Sequence, residues 1–299
     1  MKVPRWFVMV LLLLLPLACG LPTPSTPQPT SPPAPTTALP TSAVPTLTTS
    51  APPPGPTNTQ PPPPTPAGTL PTPTATTPSR PEEAILILEP GPGSRVISPV
   101  RVAGLADPTF EQNLVVRILL DDGTQIALTP TTIGADLGQR GPFAVDVPFT
   151  ITGERNAFIQ VYDQSARDGG IIHLETVGVT LADSGPANIV PGTVHPEQIH
   201  IQLPLPGDTV SGGVAHVEGF GLASFEGTLV IEVYDETGTM VGQEPIIVQA
   251  PDLGFPGPFS ADVAYNVASI GPGRIVVRDP SVAFVGDYHI SSVEITLAP

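Results

Sequence analysis

The chain of 299 residues contains one cysteine, Cys19, and one lysine, Lys2. A single cysteine excludes an internal disulfide. The 11 Lys and Arg residues are outnumbered by 27 acidic residues, which excludes the clustered cations that bind nucleic acid. Aromatic residues make up only 5% of the chain, too few to favour a sugar-stacking surface. The chain also lacks a Gly-x-Ser-x-Gly elbow, a phosphate-binding glycine loop and an HExxH motif, so we expect no catalytic residue, no metal site and no cofactor.

Residues 1–18 have the pattern of a secretion signal. Lys2 and Arg5 carry positive charge, and residues 6–18 are apolar apart from Pro16. This apolar run is too short to span a bilayer and has the usual length of a signal-peptide core. The segment that ends at Cys19-Gly20 resembles the lipobox of bacterial lipoproteins, although Pro16 stands where that family usually has Leu. The resemblance implies that Cys19 is lipidated and becomes the first mature residue. The alternative is ordinary cleavage nearby, which would leave a free thiol.

Residues 19–81 predict a disordered spacer that begins at the lipidated cysteine. Beyond Gly20 nearly every residue is Pro, Thr, Ser or Ala, and the only charge is on Arg80. Such a composition buries too little apolar surface to offset the entropy of folding, and its prolines favour the extended polyproline II conformation. About 60 residues at roughly 3.1 Å each would reach on the order of 190 Å when fully stretched. We expect a stalk that holds the rest of the chain away from a membrane.

Removing Lys2 and Arg5 with the signal would change the formal charge from −16 to −18. An acidic protein of this kind is repelled by anionic lipids as well as by nucleic acid. The expected attachment is therefore through the lipid on Cys19 alone, at the extracytoplasmic face of the cell membrane.

The remainder of the chain contains one pattern twice, at an offset that drifts from 114 to 116 residues. The repetition predicts a first domain at 82–183, a linker at 184–197 and a second domain at 198–299. The matched segments keep their order along the chain and are Val102-Ala103-Gly104 with Val217-Glu218-Gly219, Phe110-Glu111 with Phe225-Glu226, Asp136-Leu137-Gly138 with Asp252-Leu253-Gly254, and Gly141-Pro142-Phe143 with Gly257-Pro258-Phe259.

Both copies predict an all-β fold. Runs such as 114–120 and 229–234 are rich in Val, Ile and Leu and end at Asp or Gly turns, and the closing strands alternate apolar and polar residues. Short strands at this spacing predict a sandwich. The aromatic side chains expected to fill the two cores are Phe110, Phe143 and Phe149 in the first copy, and Phe225, Phe259 and Tyr265 in the second.

Each copy resembles the immunoglobulin-like domain of bacterial spore germination proteins. The resemblance is carried by the Val-x-Gly, Phe-Glu and Gly-Pro-Phe segments and by Val161-Tyr162-Asp163-Gln164-Ser165 with Asp168-Gly169. The second copy keeps Asp279-Pro280-Ser281 but has Val285-Gly286-Asp287 in place of the Asp-Gly turn. The resemblance implies two tandem immunoglobulin-like β-sandwiches in an extracellular module. It implies no catalytic residue, and we infer no role in germination from it.

Few side chains suggest chemistry. His195 and His200 are spaced by five positions near the linker, but the spacing fits no known zinc motif, and we expect the histidines to be exposed or on strand faces. Asp163, Asp168 and the Gly169-Gly170 backbone are a calcium candidate, although aspartate beside glycine is also typical of β-turns. Glu111 and Glu226 follow an aromatic in both copies and are expected to bond a loop N–H or to cap a turn.

These features together predict a non-enzymatic, lipid-anchored surface protein whose two modules contact a protein or another part of the cell envelope. The identity of that partner cannot be read from the sequence. A ligand-binding lipoprotein that takes a glycan or small solute between the sandwiches is the alternative, and a carboxylate-dependent hydrolase is a third, weaker interpretation.

Overall fold

The computed structural model describes residues 80–299. These residues form sixteen β-strands and one short 3₁₀ turn, and none of them lies in a helix long and apolar enough to cross a membrane. The predicted signal, Cys19 and most of the predicted spacer lie outside the described residues. The all-β prediction is confirmed.

The first copy is a sandwich of two sheets. Its smaller sheet has the strand order β1-β3-β6, and its larger sheet has the order β5-β4-β7-β8, with β2 parallel to β8. The strands are β1 (Ile85–Glu89), β2 (Arg95–Ile97), β3 (Val100–Ala106), β4 (Asn113–Leu120), β5 (Gln125–Thr132), β6 (Gly141–Val147), β7 (Glu154–Gln164) and β8 (Ile171–Ala182).

The second copy repeats this arrangement strand for strand. The smaller sheet has the order β9-β11-β14, and the larger has the order β13-β12-β15-β16, with β10 parallel to β16. The strands are β9 (Ile199–Leu203), β10 (Thr209–Val210), β11 (Val214–Gly221), β12 (Thr228–Tyr234), β13 (Met240–Ile247), β14 (Gly257–Ala264), β15 (Gly271–Pro280) and β16 (Asp287–Leu297). Two tandem sandwiches confirm the predicted fold class.

Alternation along the strands places one apolar core between the sheets of each copy. Strand β3 buries every second residue, and β14 does the same at its start, as expected when side chains of a pleated strand point to opposite faces. Phe143 and Phe149 lie in the first core, and Phe259 and Tyr265 in the second. These four core predictions are confirmed.

The Val-x-Gly segments are explained by the aromatic residues that they face. A Cβ on Gly104 would lie 1.8 Å from the carbonyl oxygen of Leu86 and 2.8 Å from the ring of Phe143. A Cβ on Gly219 would lie 2.4 Å from the ring of Phe259. Both glycines therefore permit the phenylalanine of the Gly-Pro-Phe segment to pack across the backbone of the neighbouring strand in the same sheet, which is why the two segments recur together.

The prediction that Phe110 and Phe225 fill the cores is wrong. Their exposed fractions are 60% and 44%. Phe110 begins the 3₁₀ turn Phe110–Gln112, in which Glu111 and Gln112 have φ of 54° and 58°. The reversal turns Phe110 outward and Gln112 inward, where the Gln112 side-chain amide donates to the carbonyl oxygens of Asp136 (3.0 Å) and Gln139 (2.9 Å).

The segment predicted as a linker, 184–197, lies along the first sandwich. Gly91 N donates to Val190 O at 2.7 Å, and Gly192 N donates to Leu88 O at 2.8 Å. Gly91 comes so close to this segment that a Cβ there would lie 2.6 Å from the Pro191 backbone. The connector is thus held by backbone hydrogen bonds to the first copy.

The two larger sheets join edge to edge. Strand β16 pairs antiparallel with β8, with His289 opposite Glu175 and Ile290 opposite Leu174. The strand order across both copies is consequently β13-β12-β15-β16-β8-β7-β4-β5. Strands β8 and β16, the last strands of the two sandwiches, lie at the junction. Residues next to these strands form the contacts between the copies.

Candidate functional site

The junction between the copies contains a buried cluster of carboxylates and imidazoles. Glu83 lies just before β1, His173 on β8, Glu197 just before β9, and His289 on β16. All four are buried, and both Glu83 and His289 have exposed fractions of 0%. We call these four residues the junction cluster. Glu175, also buried, contacts it from β8.

The ligand atoms of the junction cluster face one another. His173 Nε2 lies 2.6 Å from Glu83 Oε1 and 3.6 Å from Glu197 Oε1. His289 Nε2 lies 3.7 Å from Glu83 Oε1 and 3.6 Å from Glu197 Oε1. One nitrogen or oxygen from each residue falls within 4.8 Å of all the others. The arrangement brings two acceptor oxygens and two imidazole nitrogens to one point.

The cluster is built from the repeat itself. Glu83 and Glu197 are 114 positions apart and each stands two residues before the first strand of its copy; His173 and His289 are 116 apart and each lies in the last strand. Antiparallel pairing of β8 with β16 relates the copies by an approximate two-fold axis. Each copy therefore supplies the same glutamate and the same histidine to one shared site.

The remaining hydrogen bonds hold these side chains in place. Glu83 Oε2 accepts from Gln198 N, and Glu197 Oε2 accepts from Ala84 N, each at 2.9 Å. His289 Nδ1 lies 3.2 Å from Glu175 Oε2. Within the described residues His289 Nε2 has no hydrogen-bond partner, although it is completely buried. A buried polar atom without a partner costs free energy, so this nitrogen requires an explanation.

The electrostatics of the cluster follow from this mixture. Burial alone would raise the pKa of Glu83, but His289 and His173 lower that pKa to about 2. Burial alone would lower the pKa of His173, yet the Glu197 and Glu83 carboxylates raise it above its usual value. The pKa of His289 is raised well above its usual value in spite of burial, by Glu83 and Glu175 first. The junction cluster thus holds an ionised Glu83 carboxylate beside two imidazoles whose protonated forms are favoured.

Two further contacts fasten the junction. Arg274 Nη1 donates to Asp168 Oδ1 at 3.0 Å, and the two side chains are 3% and 1% exposed. The same repeat offset of 116 relates Arg274 to Phe158 and Asp168 to Phe284. Those two rings stack with centroids 3.8 Å apart. An ion pair at one position of the junction therefore corresponds to an aromatic pair at the related position.

The structure does not assemble the histidine and calcium candidates considered from the sequence. His195 approaches Glu175 at 3.7 Å, whereas His200 lies on β9 and takes no part in the junction cluster. Asp168, proposed for calcium, has its carboxylate occupied by Arg274 and by Gly170 N, at 3.0 Å each. The expectation allowed the histidines to be exposed or on strand faces. His173 and His289 lie on β8 and β16 but are buried, whereas His216 is exposed on β11.

Glu111 and Glu226 do not have the predicted side-chain role in the described part of the chain. Neither carboxylate accepts a hydrogen bond from residues 80–299; what the two share is a left-handed backbone, with φ of 54° and 49°. Cys19 lies outside the described residues, so its lipidation stays a prediction.

Sequence reasoning expected no metal site and missed the junction cluster. The repeat offset contains the signal, because it relates Glu83 to Glu197 and His173 to His289. Charged residues at equivalent positions of two copies meet only when the copies associate with two-fold symmetry. The sequence gives no direct sign of that association.

Comparisons with known proteins agree with the repeat. A family model described as the immunoglobulin-like domain of bacterial spore germination matches residues 84–170 and again 198–283. No curated protein matches the chain.

Solved structures show low similarity. Dimeric latent PorU from Porphyromonas gingivalis is 14% identical over 73% of this chain, with a TM-score of 0.26, and the chain spans 20% of that protein. The CFA/I adhesin CfaE of enterotoxigenic E. coli is 12% identical over 70% of this chain and 81% of its own, with a TM-score of 0.18. An I-band fragment of titin is 11% identical over 72% of this chain and 65% of its own, with a TM-score of 0.19.

Proposed function

Because the chain belongs to the family of the immunoglobulin-like domain of bacterial spore germination, we propose that it is a non-enzymatic, lipid-anchored surface protein whose two fused modules contact a protein or cell-envelope partner. The lipid on Cys19 attaches the chain to the extracytoplasmic face of the membrane, and the Pro/Thr-rich segment spaces the modules from it. The modules themselves supply the recognition surface.

One observation above all supports an interaction role: both copies expose the same two apolar side chains. Leu137 and Leu253 are 76% and 70% exposed, and Phe110 and Phe225 are 60% and 44% exposed. Large apolar side chains that are exposed together mark contact sites more often than isolated ones do.

Each exposed phenylalanine belongs to the same region as the exposed leucine of its copy. In the first copy, the Gln112 amide ties the turn that begins at Phe110 to the loop that holds Leu137. In the second copy, Glu226 and Leu253 line one shallow cavity, together with the exposed Phe255. A partner that contacts both copies would therefore meet two similar apolar surfaces.

The anchor is tested by metabolic labelling of the producing cells with a radioactive fatty acid. We expect label on the wild-type chain and none on Cys19→Ser, which keeps the signal and the spacer. An unlabelled wild-type chain would contradict the anchor while leaving the interaction surface to be tested separately.

The interaction surface is tested by photo-crosslinking in intact cells. A photoreactive amino acid at Leu137 or Leu253 is expected to give the same discrete crosslinked product. The matched control is Ile270, which is 66% exposed in a different loop. Equal yield of that product from all three positions, or from none, would refute a contact through the repeated leucines.

A ligand-binding role is the second candidate, favoured by a groove of about 430 Å³ at the junction. Its lining includes Arg274, Arg278, Glu232 and Tyr234, a mixture of charged, hydrogen-bonding and aromatic groups suited to a polar solute. A thermal-shift screen of the full chain over sugars and peptides tests this, because a ligand that binds only the native state raises the melting temperature. No shift with any compound would favour the interaction role.

A further inference from the structure

We propose that the junction cluster of Glu83, His173, Glu197 and His289 is a structural site for a divalent metal ion of the zinc class, shared between the two copies. This inference goes beyond the proposed function and does not depend on the anchor or on a partner. It rests on the geometry of four buried side chains and on one nitrogen that the described residues leave unpaired.

The spacing of the ligand atoms suits a tetrahedral ion. Zinc bonds to histidine nitrogen and carboxylate oxygen at about 2.0–2.2 Å, which places neighbouring tetrahedral ligand atoms roughly 3.4 Å apart. Three of the four nitrogen–oxygen distances in the cluster are 3.6, 3.6 and 3.7 Å. The 2.6 Å hydrogen bond between His173 Nε2 and Glu83 Oε1 must lengthen by about 0.8 Å for the ion to enter.

The unpaired nitrogen points to a ligand. His289 Nε2 is completely buried, has no hydrogen-bond partner among the described residues, and faces Glu83 and Glu197 at distances too long for hydrogen bonds. A metal ion at the centre of the cluster would use this nitrogen. The other ring nitrogen, Nδ1, lies 3.2 Å from Glu175 Oε2, and a carboxylate behind a histidine is how metal-binding imidazoles are commonly oriented.

The donor set selects the metal class. Two imidazole nitrogens with two carboxylate oxygens suit zinc and the neighbouring transition metals, whereas calcium and magnesium take six or more oxygen ligands. All four donors come from the protein, as in structural rather than catalytic zinc sites, which keep one position for water or substrate.

The position of the site explains what the metal would do. Glu83 and His173 belong to the first copy, whereas Glu197 and His289 stand before and within the strands of the second. An ion bound by all four links the copies beside the β8–β16 pairing, and it neutralises carboxylates that are otherwise buried at some cost. The metal is thus expected to stabilise the association of the two sandwiches.

The test uses the full-length chain in detergent after dialysis against a chelator. Equilibrium dialysis with zinc chloride is expected to give one tightly bound zinc ion per chain. Thermal unfolding followed by circular dichroism should move upward by about 5–11 °C at a free zinc concentration a hundredfold above Kd. Magnesium chloride at the same concentration should leave the midpoint unchanged.

Substitutions of the cluster histidines distinguish zinc binding at this site from binding by other side chains of the protein. His289→Gln and His173→Gln are each expected to weaken zinc binding by more than a hundredfold. The matched control is His216→Gln: His216 also contacts two carboxylates, Asp262 at 2.6 Å and Glu218 at 2.8 Å, but it is exposed and provides only one imidazole. This control variant retains the cluster histidines and the Cys19 thiol, so it should bind zinc as the wild type does.

Either of two results would overturn the proposal: a wild-type chain that binds no zinc stoichiometrically, or tight binding that survives both cluster variants. Should those variants fail to fold, Glu175→Gln decides, because it leaves all four ligands in place. Loss of an outer-shell partner typically weakens metal affinity by about 10–100-fold. Unchanged affinity in Glu175→Gln would then contradict the site.

Discussion

The buried ion pair between Asp168 and Arg274 joins the two copies, and we expect its loss to weaken the junction. Asp168→Asn is the informative change, because it removes the charge and keeps the shape. The asparagine oxygen can still accept from Gly170 N, as Asp168 Oδ1 does at 3.0 Å. What changes is that Arg274, only 3% exposed, has no counter-charge.

The size of the expected loss of unfolding free energy follows from the pKa of Asp168. Burial alone would raise this pKa, but hydrogen bonds from Gly170 and Arg274 and the arginine charge lower it to about 2 from 3.8. A difference of 1.8 pKa units corresponds to about 2.4 kcal/mol of unfolding free energy, because each unit is worth about 1.36 kcal/mol. Breaking a buried pair by removing one partner typically costs about 3–5 kcal/mol. We therefore expect Asp168→Asn to lower the free energy of unfolding by about 2–5 kcal/mol at pH 7.

The pH dependence of this loss distinguishes an effect of the Asp168 charge from an effect on packing. A carboxyl whose pKa is lower in the folded state stabilises the fold above its unfolded pKa, and this stabilisation is lost as the pH falls towards the folded pKa. For Asp168 the window runs from about pH 4 to pH 2. Its contribution should fall to about 0.4 kcal/mol at pH 2, so the wild type and the variant should converge there.

The assay is urea unfolding of the full chain, followed by circular dichroism at pH 7, 4, 3 and 2. The control is Asp107→Asn, which removes one carboxylate of a partly exposed contact with Arg140. Exposed pairs contribute only about 0–1 kcal/mol. A loss below 1 kcal/mol in Asp168→Asn, or an equal loss at pH 7 and pH 2, would refute the reasoning.

Three further substitutions, with two matched controls, test the packing of the first copy, each by the shift of the urea midpoint. Gly104→Ala should cost at least about 1–3 kcal/mol because its Cβ would overlap backbone, whereas Gly178→Ala, whose Cβ would meet the nearest atom at 3.6 Å, should be close to neutral. Phe143→Ala should cost about 3–5 kcal/mol, whereas Phe110→Ser should stay within about 0.5 kcal/mol because that ring is exposed. Gln112→Leu should cost about 0.5–1.5 kcal/mol by removing the hydrogen bonds that the buried Gln112 amide donates to the carbonyl oxygens of Asp136 and Gln139. The structure would be contradicted if Gly178→Ala lost more stability than Gly104→Ala or if Phe110→Ser lost more than Phe143→Ala. A neutral Gln112→Leu would also contradict it.

The positions of the core phenylalanines show what periodicity can predict. Phe143 and Phe259 lie on strands in which buried and exposed residues alternate, and a strand that packs one face on a core must bury them. Phe110 and Phe225 follow no such alternation, and their direction was set by left-handed residues next in the chain. A non-glycine residue with positive φ is uncommon, so the sequence pattern alone wrongly placed both rings in the core.

The connector illustrates a second limit. Its prolines and small residues predict a linker, and the structure agrees that it contains no regular strand. Its composition does not reveal that Val190 and Gly192 bond the first sandwich. Backbone hydrogen bonds carry no side-chain signature, so a segment bound by its main chain resembles a free one in sequence.

Local alternation, turn residues and the internal repeat were enough to determine two tandem β-sandwiches, because each of these features acts within a strand or a hairpin. The acidic balance predicts that the chain does not bind nucleic acid. The edge pairing of β8 with β16 was decided only in the tertiary structure, since an antiparallel edge contact depends on main-chain groups that every residue has. That pairing, together with the backbone bridge between Glu82 and Pro196, brings together two glutamates and two histidines from positions far apart in the chain, and with them the candidate metal site.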